Sequence, residues 1–498
     1  MTVIESLGMA PKAKQFLATS PIKSYIGGKW IGSADGKTLT ALDPGSGEPI
    51  AEFYVMQPSD VNRAVQAAGE SFRKSGWGTF SPEERGVYLQ RLADLIERDL
   101  DALGDIEALD GGKLRSAGLG DAQCVADRLR FYADTAVRAR YEATVSVPHY
   151  VARMVRLPYG VCAFIVPWNY PLGLMAWGIC PALAAGNTVV VKPASDTSLS
   201  ALYVAQLAEE AGIPAGVLNV VAGPAEPTGM ALARHPDIKR LSLTGSPEAG
   251  KSVAVACAQN LVPVKLELGG KGAAVVFDDV NVDLVADRLA EAITSHVGQI
   301  CCNATRWIIQ DGIYDRFATA VSARLNAVRI GHGFDPQTQM GPVINAKQRE
   351  RVLSYIQSSQ AEGAQALVPG GVCSVPGYEG GFYVKPALLA GSLDNVAARE
   401  EIFGPVAYMA RFGSEDEAVE MVNNTRYGLA NSVWSRDPER CDRMALRMVA
   451  GNSWINAHNI IPLGVPYAGI NQSGMGGGVN SPDTLYDYMR NLTITQRG

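Results

Sequence analysis

The sequence is poor in charge, has few histidines and contains no paired cysteine motif, and each scarcity closes off a class of function. Charged residues make up 19% against 47% hydrophobic, with a formal net charge of −6. Without a cluster of Lys and Arg, a nucleic-acid surface is not expected, because phosphates need grouped cations. The eight cysteines (Cys124, Cys162, Cys180, Cys257, Cys301, Cys302, Cys373 and Cys441) include no CxxC and keep no metal-like spacing from the 5 histidines. No metal site and no disulfide framework are expected, and reduced thiols in the cytoplasm are. Lys12 and Lys14 are not followed by the continuous apolar core of a signal peptide. The low charge over 498 residues points instead to two or three domains with extensive interior and subunit contact.

One stretch imitates a membrane span. Residues 161–191 carry no charge, but Pro167, Pro171 and Pro181 with Asn169 and Asn187 interrupt them too often for a spanning helix. Buried strand, loop and helix are expected there, and no membrane partner. Short β-branched runs at Val161–Val166, Thr188–Val191, Val217–Val221 and Ile238–Leu243 recur at the spacing of a strand plus a crossover helix, so a parallel α/β domain follows. Leu199–Ala211 reads as one such helix. Helices over Asn281–Val297 and Tyr314–Val328, with a strand at Trp307–Gln310, indicate a second α/β unit after Glu267. Residues 138–157 alternate like a hairpin and Thr493–Thr495 is β-like. With no sheet of their own, these segments are expected to form an arm that pairs with other strands, including those of another subunit.

The chemistry concentrates in Gly298-Gln299-Ile300-Cys301-Cys302 and in Glu267-Leu268-Gly269-Gly270-Lys271, with Glu267 lying 34 positions before Cys301. A thiol that forms a covalent adduct and a carboxylate that activates water describe two-step acyl chemistry. Asn169, between two prolines at a strand end, either donates to a developing oxyanion or caps a turn. Thr244-Gly245-Ser246 is either a pyrophosphate seat or a plain helix cap. Lys192 closes a strand where open parallel sheets place ligands, and is either a ribose or phosphate contact or a solvated lysine. Glu401 and Phe403 before Gly404-Pro405 suit a sugar and a flat ring, or a loop with a buried Phe. His296 offers a Cys-His pair or a structural histidine.

Together with Tyr25-Ile26-Gly27-Gly28-Lys29-Trp30, Pro167-Trp168-Asn169, Lys192-Pro193 and Gly341-Pro342, these segments resemble the aldehyde dehydrogenase superfamily over essentially the whole chain. The resemblance implies a Rossmann-like parallel-sheet cofactor domain (1–137 and 158–266). It further implies a second α/β catalytic domain (267–478), a β-hairpin oligomerisation arm (138–157 and 479–498), and a homodimer or homotetramer. It implies Cys301 as nucleophile, Asn169 with the Cys301 N–H as oxyanion donors, and Glu267 as the base that releases a carboxylic acid. Because acylating relatives that use coenzyme A typically lack that base, Glu267 favours hydrolysis. Trp168, Lys192, Ser195, Gly229, Ser246, Glu401 and Phe403 would bind NAD or NADP.

By analogy, Tyr170, Leu174, Trp177, His296, Ile300, His458 and Tyr467 would line the aldehyde tunnel. No Arg or Lys is among them, so an apolar or aromatic aldehyde is expected, with a succinate-semialdehyde-type activity and a cofactor-independent thiol esterase as alternatives. Two departures stand out. Ser195 replaces the Glu of NAD-preferring members, which removes repulsion of a 2′-phosphate and implies that NADP is accepted. The loop Asn471-Gln472-Ser473-Gly474-Met475-Gly476-Gly477-Gly478 lacks two positive charges of the family pattern.

Overall fold

A computed structural model of the chain describes residues Val3 to Arg497. The β-branched runs form the centre of an eight-stranded sheet, with parallel strands in the spatial order Val264–Glu267, Arg240–Thr244, Val161–Ile165, Thr188–Lys192 and Leu218–Val220. Side chains alternate across the strand Val161–Ile165. Val161 and Ala163 face a core with Val253 and Leu241, whereas Cys162 and Phe164 face one with Leu172, Ile179 and Leu202. Both faces are therefore covered by helices, which explains the uncharged run. Within it, the helix Pro171–Ala184 lies between two strands; Pro171 opens it, and Pro181, expected to interrupt, sits inside it. No helix among the described residues is long and apolar enough to cross a membrane.

The strand order creates a switch point. From Val161–Ile165 the chain winds outward through Thr188–Lys192 and Leu218–Val220, then returns to the other side at Arg240–Thr244. Loops leaving the C-terminal ends on either side of that reversal diverge and leave a crevice. A second, seven-stranded sheet follows, in the order Gln365–Val372, Val384–Ala390, Val406–Phe412, Ala304–Gln310, Gly272–Val276, Ala430–Trp434 and Asn452–Ile455.

Three expectations are corrected. The helix after Asn281 spans Val282–Thr294 and does not reach Val297, because His296, Val297 and Gly298 all take positive φ (44°, 50° and 73°) and turn the chain left-handed. The arm strands do have a sheet of their own: Glu142–Val147, Tyr150–Pro158 and Met489–Arg497 pair antiparallel within the chain. The boundaries at 478 and 479 also move. Gly474–Met475 extends the first sheet beside Val264–Glu267, and Leu485 and Tyr488 are buried in the first core, so the segment after 474 returns to that unit before the arm begins.

Candidate active site

Three adjacent strand ends of the first sheet supply one wall of a cleft of about 460 Å³, through Pro167-Trp168-Asn169, Thr244 to Glu248 and Glu267-Leu268-Gly269. Cys301, Glu401 and Phe403 of the second unit supply the opposite wall. Cys301 is partly exposed, whereas Cys302 is buried and lies outside this lining, so the structure separates the twin thiols. All eight cysteines are unpaired.

Asn169 is buried, and its Nδ2 donates to the Gln299 carbonyl at 3.0 Å. An amide nitrogen has two hydrogens, so one orients the group and the other is available to a ligand. Gln299 is fully buried and ties the thiol segment to the second unit, its Oε1 accepting from the Ile344 N–H at 3.0 Å. Gly298 is required at the start of this segment: at φ 73° a Cβ there would stand 2.2 Å from the Gly404 carbonyl.

Glu267 pairs in register with Thr244; no side chain hydrogen-bonds its buried carboxylate, which lies near the Gly469 backbone. Burial holds its carboxyl well above the usual range, with the Lys265 ammonium opposing the shift and the Cys301 thiol adding to it. A buried acid of raised pKa facing a cleft is suited to take up a proton from something bound there. Lys265 anchors the strand from behind through Asp487 at 2.5 Å and the Gly478 carbonyl at 2.6 Å. The neighbouring Cys302 thiol, with burial, holds the Cys301 thiol well above its ordinary range. Its sulfur lies 3.7 Å from the Tyr467 hydroxyl, and His296 is not its partner.

Glu401 and Phe403 are placed by one strained loop. Phe403 takes φ 63°, which costs a non-glycine residue about 1 kcal/mol or more. Side chains from the helix Ala346–Ala361 hold it there: Gln348 Nε2 donates to the carbonyls of Ile402 (3.1 Å) and Phe403 (2.7 Å), and Arg351 donates to that of Glu401 (2.7 Å). Sequence reasoning missed both residues, since nothing local marks them. The Phe403 ring then meets Trp168 edge-on at 5.3 Å. Glu401 accepts from the Gly270 N–H at 2.9 Å, and its carboxyl is pushed up to about 7 by burial. A Cβ on Gly269 would stand 2.1 Å from that carboxylate.

Ser246 caps the helix Pro247–Ala258 by accepting from the Ala249 N–H at 3.2 Å, worth about 1 kcal/mol, and also lines the cleft. Lys192 is buried rather than solvated, and burial lowers its ammonium to about 8. Gly229 leaves room beside it, since a Cβ there would meet Lys192 Cδ at 3.3 Å. Ser195 opens a short turn, and its neighbour Asp196 is engaged by Asn345 Nδ2 at 2.8 Å.

Of the tunnel candidates, Leu174, Trp177, Ile300 and Tyr467 cluster with Cys301 and Cys302. Trp177 and Tyr467 stand 5.2 Å apart. Tyr170 and His296 instead meet edge-on at 5.1 Å beside a separate cavity of about 620 Å³. A cation does stand near the tunnel candidates: Lys113 Nζ lies 4.2 Å from the centre of the Tyr170 ring. Glu107 and Asp121 both pair with it, so it offers no free charge to an anionic substrate. His458 has both ring nitrogens occupied by protein groups, at 2.9 and 3.0 Å.

The model of the aldehyde dehydrogenase family matches residues 30–494. Betaine aldehyde dehydrogenase from Bacillus subtilis (strain 168) is 37% identical over 454 residues, covering 91% of this chain and 93% of the relative. The crystal structure of betaine aldehyde dehydrogenase from Staphylococcus aureus in complex with NAD+ superposes with a TM-score of 0.95 at 31% identity, covering 98% of this chain and 97% of that one. That of HpcC from Thermus thermophilus superposes with a TM-score of 0.94 at 36% identity, covering 97% and 95%.

Proposed function

The chain belongs to the aldehyde dehydrogenase family, and we propose that this NAD(P)-dependent oxidoreductase converts an apolar or aromatic aldehyde to the free carboxylic acid through a thioester on Cys301. The observation that carries the reading is the buried Glu267 carboxylate, held by no side-chain hydrogen bond, sharing a cleft with the Cys301 thiol and the Asn169 amide. Cys301 Sγ bonds to the aldehyde carbon as its proton passes to the Glu267 carboxylate, which gives it up to solvent through the cleft before hydrolysis, while the free Asn169 hydrogen and the Cys301 N–H hold the oxyanion. NAD(P), when bound, supplies the hydride acceptor. With that hydride gone, the carbon is a thioester. Glu267 takes a proton from water as the oxygen attacks, the C–S bond breaks, and the thiol is restored.

The residues present fit the cofactor. Glu401 is poised over Gly269 for sugar hydroxyls, Trp168 and Phe403 offer ring surfaces, and Ser246 stands at a helix N-terminus suited to pyrophosphate. Lys192 is a buried cation with the Asp196 carboxylate as its charged neighbour, and Ser195 at the position of the family's Glu supports acceptance of NADP as well as NAD. The wall of Leu174, Trp177, Ile300 and Tyr467 supports the aldehyde class. The same aromatic faces would suit the quaternary ammonium of betaine aldehyde, named for the relatives, as a second reading. The arm sheet exposes Val145, Val147, Val151, Leu492 and Ile494, which supports a homodimer or homotetramer.

Stopped-flow and steady-state assays with apolar, aromatic, quaternary-ammonium and carboxylate-bearing aldehydes test the proposal with both cofactors. The native protein is expected to reduce NAD and NADP. Glu267→Gln is expected to keep a single-turnover burst while steady-state kcat falls about 10²- to 10⁴-fold. Unimpaired turnover in that variant overturns the base, and activity with NAD alone overturns the cofactor assignment.

A further inference from the structure

Three side chains from the second sheet and the loop after it form one hydrogen-bond chain that ends beside the nucleophile. Trp434 Nε1 lies 3.0 Å from Ser432 Oγ, Ser432 Oγ lies 3.0 Å from His458 Nδ1, and His458 Nε2 lies 2.9 Å from the Cys302 carbonyl oxygen. Chemistry fixes every direction. A carbonyl only accepts, so Nε2 carries an imidazole hydrogen, and an indole only donates, so Ser432 accepts from Trp434; with the buried ring neutral, Nδ1 accepts the Ser432 hydrogen. Burial lowers the His458 imidazolium to about 4, so the ring is neutral and the chain runs through its Nε2–H tautomer. Ser432 and Trp434 are buried in a strand, and Trp454 of the adjacent strand meets the His458 ring edge-on at 4.8 Å.

The group that this chain grips is the peptide after Cys302. Its N–H, belonging to Asn303, donates to the Ile300 carbonyl at 3.2 Å and closes the turn that displays Cys301. The Cys302 thiol donates to Asn459 Oδ1 at 3.5 Å, so the same loop holds the residue by its side chain as well.

We infer that His458 is a positioning residue: the chain from Trp434 through Ser432 and His458 holds the Cys302 peptide, and with it the attack geometry of the Cys301 sulfur and N–H. The inference rests on the reading of Cys301 as nucleophile. His458 acts through the peptide and does not touch the reacting atoms.

The test compares His458→Leu, His458→Gln and Ser432→Ala by two measurements. One is the rate of Cys301 alkylation by iodoacetamide, assigned by peptide mass spectrometry; the other is kcat alongside the cofactor KM. His458→Leu is expected to slow alkylation and kcat about tenfold or more while the cofactor KM stays within about twofold. His458→Gln, whose amide can donate to the carbonyl and accept from Ser432, is expected to recover most of both rates, and Ser432→Ala to fall between. Native rates in His458→Leu, or equal losses in the Leu and Gln variants, overturn the inference. If His458→Leu fails to fold, the contrast of Gln with Ser432→Ala decides: equal native rates in both overturn it, and a selective loss in Ser432→Ala supports it. Failure of the dehydrogenase reading is separately visible, as native protein that alkylates at Cys301 but reduces no cofactor with any aldehyde.

Discussion

On one side of Cys301 the cleft is lined by Glu248, Lys347, Arg351, Glu400 and Arg426; on the other, Leu174, Trp177, Ile300 and Tyr467 pack with no charged residue among them. The charged side suits a hydrated nucleotide, whose phosphates and sugars need polar partners. The apolar side excludes water from the thiol and strengthens the few dipoles aimed at it. The neighbouring Cys302 thiol, together with burial, raises the Cys301 thiol and favours its protonated form. Glu267 lines the charged side and is itself buried.

The largest expected effect separates the twin thiols. Cys301→Ser should lower kcat about 10³-fold or more, whereas Cys302→Ala, on the dry side, should cost less than about tenfold. Equal losses would erase the distinction that exposure draws between them. Next in size is Gly298→Ala. Its Cβ would strike the Gly404 carbonyl that follows the Glu401–Phe403 loop, so thermal unfolding should begin earlier, with a cost of about 1–3 kcal/mol, and cofactor KM should rise with it. A purely catalytic loss with native cofactor KM would show that the two walls are not coupled through this glycine.

The smallest effect is a pH dependence of binding. Glu401 is pushed up to about 7, so a proton arrives as pH falls through that value and leaves a weaker acceptor for sugar hydroxyls. Cofactor KM should rise about threefold to tenfold from pH 8 to pH 6, and Glu401→Gln should flatten the profile. A native profile already flat over that range would remove Glu401 from the sugar contact.

The strand runs and the loops that end them were legible because period and composition are local. Val161–Val166 and Ile238–Leu243 announced strands, and the residues after them proved to share one crevice. The left-handed turn at His296–Gly298 was not legible: the apolar pattern of the preceding helix runs on through Val297, and only contact with Gly404 and Ile344 turns the chain. Gln348 and Arg351 were hidden for a similar reason. They bond backbone carbonyls about 50 residues away, and carbonyls carry no signature in a sequence. Lys113 has no local sign of burial in the sequence, and only packing surrounds it with Glu107, Asp121 and Tyr170.

By itself the sequence determined the α/β class, the two units and the chemical types brought to the site, because periodicity, turn residues and reactive groups are properties of short segments. Tertiary structure alone decided that Cys302 is buried away from the cleft that Cys301 lines, that no side chain hydrogen-bonds Glu267, and that His458 reaches the Cys302 carbonyl. Those are matters of burial and of long-range hydrogen bonds, which exist only once distant segments have been packed together.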